Sequence, residues 1–143
     1  MNSNDPLLVT HQLHSVVSIL DKMADEILKN QFHFSYPEFI ILLAISCNPN
    51  TSQSILTSWT GYTKGLISKK VELFRQKNLA TVKASQQDRR QTFVSLTKKG
   101  ENLLSKINRV LEDRFETIFL PNEKAELSQL NETLGKILTR ISN

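Results

Sequence analysis

Thr63, Lys64, Ser68 and Lys69 lie close together in the sequence, with Gly65 among them, and Asp88, Arg89 and Arg90 form a charged triplet further on. Hydroxyls, ammonium groups and guanidiniums in this mixture suit hydrogen bonding to base edges and phosphates. Their setting strengthens the reading. Residues 61–99 hold ten of the eighteen Lys and Arg but only Glu72 and Asp88 of the fourteen acids, so this segment carries +8 and the remainder −4. Concentrated positive charge gains affinity for duplex DNA by releasing condensed counterions, and it says more than the overall +4.

Other chemistries lack their residues. The chain has no glycine-rich phosphate loop, no nucleophile elbow and no paired carboxylates beside a histidine in a motif context. An enzyme is therefore not expected, nor a cofactor. His11 and His14 stand one helical turn apart, with Asp21 and Asp25 farther along, but two histidines without a third ligand are read as surface residues, and no metal is expected. The single cysteine, Cys47, allows no internal disulfide; at the end of an apolar helix it reads as buried and inert. The longest apolar run, Phe39 to Ile45, is far short of the roughly 20 residues that span a bilayer, and no signal pattern opens the chain. A cytoplasmic protein without membrane contact is expected.

The elements that must position these groups follow from periodicity and caps. Asp5 and Pro6 begin a helix over about 6 to 30, with Leu13, Val16, Leu20, Met23 and Ile27 on one stripe. Residues 33–37 interrupt it. Ser35 or Tyr36, followed by Pro37 and Glu38, starts a second helix through Ile45 that is apolar nearly all round. After a turn at Asn48, Pro49 and Asn50, Thr51 or Ser52 caps a short helix carrying Ile55, Leu56 and Trp59, which ends at Gly61. Thr63 caps the next helix, whose buried stripe is Ile67, Val71 and Phe74; Asn78 suits the left-handed position beyond it, so the helix ends at Lys77. Leu79 to Val82 and Thr92 to Leu96 form a hairpin with a long charged tip. Thr97 caps a fifth helix with Leu104, Ile107, Leu111, Phe115 and Ile118, ending before Pro121. Asn122 caps the last, whose Leu127, Leu130, Leu134, Ile137 and Ile141 make a two-heptad seam.

The predicted fold is mainly α with a small β-hairpin: a winged helix-turn-helix over 35–99, flanked by long N- and C-terminal helices over 1–34 and 100–143. The second helix of the motif fits the major groove while the thin wing reaches the adjacent minor groove. Thr63, Lys64, Ser68 and Lys69 then lie in the half that approaches base edges, Thr63 and Ser68 able to hydrogen-bond bases or phosphates, Gly65 allows close approach of the backbone, and Lys70 and Arg75 meet phosphates. At the wing, Arg90 is the minor-groove candidate, Arg89 contacts a phosphate, and Asp88, sharing a side with Arg90 in a strand-like tip, holds its guanidinium; a one-residue shift would exchange the two arginines.

The run Gly61 to Ser68, then Val71, Asn78 and Leu79, the Asp88-Arg89-Arg90 triplet, and Val94, Ser95, Leu96, Thr97 and Gly100 resemble the MarR family of bacterial transcription regulators. The resemblance covers nearly the whole chain. It implies a homodimer with interlocked terminal helices, each winged helix reading half of a near-palindromic operator on double-stranded DNA, and repression by promoter occupancy. The residues ask for a partner too: the stripe containing Leu13, Val16 and Leu20 and the terminal seam exceed what one small core buries, unless both pack on the fifth helix. The resemblance further implies a small aromatic effector in a pocket near Phe32, His33, Tyr36, Phe39 and Trp59; the alternative for these aromatics is core packing. The rival function is a winged-helix adaptor that binds protein without specific DNA binding.

Overall fold

Asp5 opens the first helix, α1 (Pro6–Ile27), by accepting the Leu7 N–H at 2.9 Å, with Pro6 in the first turn where its missing donor costs nothing. The computed structural model describes residues 4–119 and 124–142, so the expected roles of Pro121 and Asn122 lie outside the described residues. The predicted helix to about 30 instead widens into a π-helical turn, Leu28–Phe32, closed by His33 at φ 53°. The wider turn delivers Phe34 to the core, where it stacks on Phe74 with centroids 5.8 Å apart, and the Phe34 N–H still reaches the Leu28 carbonyl at 3.1 Å.

Helix α2 (Tyr36–Cys47) starts with a reciprocal capping box. Glu38 N–H donates to Ser35 Oγ at 3.3 Å, and Ser35 N–H donates to Glu38 Oε2 at 2.9 Å. Phe39, Ile41, Leu42, Ala44 and Ile45 are buried, as an all-round apolar helix requires. Cys47 is not: the helix runs two residues past the predicted end, Ala44 and Ile45 take the core positions, and the thiol faces solvent.

Thr51–Ser52, expected only as a cap, is also a short strand, β1. It pairs antiparallel with β3 (Thr92–Leu96), which pairs on its other side with β2 (Ala80–Ala84), giving the order β1-β3-β2. The β2–β3 register runs from Ala80↔Leu96 to Ala84↔Thr92. Helices α3 (Gln53–Thr60) and α4 (Lys64–Gln76) form the helix-turn-helix between β1 and β2, with Gly61 at φ 72° closing α3 and Asn78 at φ 57° following α4. Leu56, Ile67, Phe74 and Val94 are fully buried beside Leu28, Ile41 and Leu42; each such side chain contributes about 1.5–3 kcal/mol.

Thr97 joins the sheet to helix α5 (Lys98–Glu116). Its hydroxyl donates to the Asn78 carbonyl at 2.6 Å and accepts the Gly100 N–H at 3.1 Å, while its own N–H reaches the Leu79 carbonyl at 3.0 Å. Gly100 must be glycine here, because a β-carbon would collide with the Leu79 carbonyl oxygen. Residues up to Ile107 form one compact unit and those from Asn108 a second. In the second, helix α6 (Lys124–Ile141) buries no residue, and Leu127, Leu130, Ile137, Leu138 and Ile141 are exposed.

Candidate nucleic-acid interface

The buried stripe of α4, Ile67, Val71 and Phe74, decides what its other faces present. Thr63 caps the helix by accepting the Leu66 N–H at 3.3 Å, and Thr63, Lys64, Gly65 and Lys69 are all exposed. Space is open around Gly65 where a side chain would stand, leaving its backbone approachable. The amino-terminal half of α4 thus offers a hydroxyl, two ammonium groups and a bare patch of backbone.

Two predicted contacts stand elsewhere. Lys70, expected to meet a phosphate, is engaged within the protein: its Nζ sits 2.8 Å from Glu38 Oε1, with side-chain exposures of 19% and 10%. The buried carboxylate outcompetes solvent for the ammonium because Glu38, fixed by the capping box, would otherwise lie unpaired at the α2–α4 contact. Burial pushes the Glu38 carboxyl up, but the Lys70 ammonium and the Ser35 N–H outweigh it and hold the group below its usual range. Ser68 is half-buried and donates to Gln53 Oε1 at 2.6 Å, fastening α4 to the first turn of α3.

Arg75 is exposed and grips Glu72 through both ends of its fork, Nε to Oε2 at 2.8 Å and Nη2 to Oε1 at 2.7 Å; Gln76 adds a bond to Oε1 at 3.1 Å. These bonds, Arg75 foremost, pull the Glu72 carboxyl down to about 2. In full solvent the pair contributes little to stability.

The wing tip is a structured turn rather than a continued strand. Ser85 N–H donates to the Gln91 carbonyl at 2.8 Å, Ser85 Oγ accepts the N–H groups of Gln87 and Asp88, and Gln91 N–H reaches the Asp88 carbonyl at 3.0 Å. Asp88 therefore does not hold the Arg90 guanidinium as expected. Its Oδ1 accepts the Arg90 backbone N–H at 3.0 Å, in the Asx manner typical of turns. Arg89 and Arg90 are exposed, and neither guanidinium has a protein partner among the described residues.

Sequence reasoning missed Gln53 and the Glu38–Lys70 pair; partners across helices leave no spacing signal. It also passed over exposed Lys77, Lys83, Lys98 and Lys99, although the charge count included them. Lys99 Nζ binds the Lys77 carbonyl at 3.0 Å, satisfying the end of α4, and the Lys77 ammonium lies 5.9 Å from the Phe34 ring centroid.

Of the five aromatic-pocket residues, Tyr36 and Phe39 meet with centroids 6.3 Å apart, Phe32 is half-buried, and His33 and Trp59 are exposed. Burial, then a hydrogen bond with Asp21, raises the Tyr36 phenol well above its usual range. Tyr62 is raised in the same direction by burial and by Asp21. Among the described residues no cluster of three His, Cys, Asp or Glu is arranged to hold a metal, and no helix is long and apolar enough to cross a membrane.

A sequence model of the transcriptional regulators SarA/Rot matches residues 24–107, more than half of the chain. The chain belongs to the SarA/Rot family of transcriptional regulators. It is accordingly a transcription regulator rather than an enzyme, and its fold is that of the MarR regulators. The transcriptional regulator BldR from Sulfolobus solfataricus superposes with a TM-score of 0.82 at 28% identity, covering 98% of this chain and 99% of that one. A MarR family protein from Bacillus stearothermophilus gives 0.83 at 15% identity over 100% and 99%. Streptococcus pneumoniae FabT, solved in complex with DNA, gives 0.77 at 19% over 96% and 98%. No curated protein sequence matches. Helices α3 and α4 are thus the helix-turn-helix of a winged-helix fold, and β2–β3 is its wing.

Proposed function

We propose that the regulator is a homodimer that binds a pseudo-palindromic operator in double-stranded DNA and represses by occupying a promoter. The observation that carries this reading is the pairing of an exposed Thr63-Lys64-Gly65-Lys69 surface with a wing whose Arg89 and Arg90 have no protein partner among the described residues. Segment 35–99 reads DNA, Arg90 or Arg89 entering the minor groove, and 1–34 and 100–143 assemble the dimer. Support for assembly comes from apolar surface: Leu7, Val9, Val16, Val17 and Ile19 are exposed on α1, alongside half-buried Leu13 and Leu20. On α6 the seam of Leu127, Leu130, Leu134, Ile137 and Ile141 has no buried member. A second copy is the occupant that leaves such surfaces dry.

Dimer symmetry sets the two recognition helices about 34 Å apart, one turn of DNA. The target places the protein in the cytoplasm. A small aromatic effector would be held where Tyr36 meets Phe39, with Phe32, His33 and Trp59 nearest in sequence to that junction. Selection of bound duplexes from a random pool, followed by a salt titration, tests the DNA reading. If the dimer neutralises about 8 to 10 phosphates, affinity falls by roughly a thousandfold or more between 50 and 200 mM salt. Sedimentation of a monomer that still selects a palindrome would sink the dimer.

A further inference from the structure

Ser68 and Lys70 stand on opposite edges of the buried stripe of α4. At about 100° per residue, with Ile67, Val71 and Phe74 pointing inward, Ser68 falls roughly 100° to one side and Lys70 roughly 60° to the other. Each edge is pinned to a different neighbour, Ser68 to Gln53 on α3 at 2.6 Å and Lys70 to Glu38 on α2 at 2.8 Å. An apolar stripe resists leaving the core but tolerates a small roll about the helix axis, because dispersion contacts are non-directional. Hydrogen bonds do not tolerate it. A roll of about 20° moves side-chain tips at a radius of about 5–6 Å by roughly 2 Å, enough to break one clamp whichever way the helix turns.

The Glu38 clamp has its own foundation. Its second oxygen holds the Ser35 N–H at 2.9 Å, and the adjacent Tyr36 N–H donates to Asp25 Oδ1 at 3.1 Å on α1, where Asp25 is paired with Lys29 at 2.6 Å. Pairs as buried as Glu38–Lys70 add little net stability over apolar replacements; their best-attested use is fixing register.

We propose that Glu38–Lys70 and Gln53–Ser68 are positioning pairs that set the roll of the recognition helix, and so govern discrimination between DNA sequences without touching DNA. The proposal rests on the DNA-binding reading above. It assigns Lys70 a role opposite to a phosphate contact, and the two roles separate cleanly.

The test measures affinity for a selected operator duplex and for a scrambled duplex of equal length, across a salt series, for wild type, Glu38→Gln, Lys70→Met, Ser68→Ala and Glu38→Gln/Lys70→Met. Each single variant is expected to lower the operator-to-scrambled ratio about tenfold while leaving scrambled-duplex affinity and the salt slope at wild-type values. Were Lys70 a phosphate contact, its loss would weaken both duplexes and reduce the slope by about 0.9. If charge alone mattered, Glu38→Gln would tighten both duplexes. Either result overturns the proposal. Thermal melts identify loss of fold, and the double variant, which strands no buried charge, keeps the measurement possible if a single variant unfolds. Reduced discrimination in the double variant supports the clamp, and wild-type discrimination overturns it. A wild-type protein indifferent to every duplex at low salt would overturn the DNA reading itself, a result distinct from all of these.

Discussion

The recognition helix and the wing tip carry the same kind of charge but hold it differently. On α4, Lys70 is locked to Glu38 and Arg75 is forked onto Glu72, so two of its cations are already engaged within the protein. At the wing, the backbone is tied down by Ser85 and Asp88 while both arginine side chains are left without protein partners among the described residues. The difference teaches that the two are fixed by different means: α4 by side-chain clamps to its neighbours, and the tip by main-chain turns. On the proposed reading, engaged charges orient and unengaged charges bind.

The most severe challenge to that contrast is Arg89→Ala/Arg90→Ala, expected to weaken operator binding by about 1–3 kcal/mol per arginine and to lower the salt slope, read by fluorescence anisotropy in a salt series. An unchanged slope would mean the tip never meets DNA. Next, Gly100→Ala strikes the base of the wing. Overpacking against the Leu79 carbonyl is expected to cost about 1–3 kcal/mol of stability, seen as a lower chemical-denaturation midpoint. Smaller still is Arg75→Ala, since the pair it breaks is exposed and screened by solvent, so the denaturation midpoint is expected to stay near wild type; a loss of operator affinity approaching that of the wing double variant would show that Arg75 abandons Glu72 for DNA.

Acid supplies a graded version of the same comparison. Glu38 and Asp25 are both held below their ordinary values in the folded chain, Asp25 chiefly by Lys29 and the Tyr36 N–H. Their stabilisation is therefore present above the unfolded carboxylate range and is lost as pH falls through the lowered folded values. Urea midpoints should fall on acidification, and Glu38→Gln should make that fall shallower. A Glu38→Gln protein with the wild-type pH dependence would remove Glu38 from the list of contributors.

Elements with local causes were legible in the sequence. Asp5-Pro6, Ser35 with Glu38, Thr63 and Asn78 all act within a few residues of themselves, and each marks the helix end where the structure has it. What depended on distant partners was not legible. Lys70 looks like any basic residue on an exposed face until α2 is packed beside it, and Thr51–Ser52 reads as a cap until β3 supplies the other half of its ladder. The turn at Leu28–Phe32 follows the same rule, since only the core position of Phe34 explains why a continuous helical pattern should widen there. The charge asymmetry survived folding better than its individual assignments: Lys64, Lys69, Arg89 and Arg90 are exposed, whereas Ser68 and Lys70 turned inward.

The placement of β3 between β1 and β2 has one more outcome. With β1 on one side and a ladder to β2 running as far as Ala84↔Thr92 on the other, β3 cannot slip in register without breaking its pairing with both neighbours. Residues 85–91 are exempt. On the proposed DNA reading, variation in reach and in the bases preferred falls to this seven-residue cassette, exchangeable by loop grafting while the stem stays as it is.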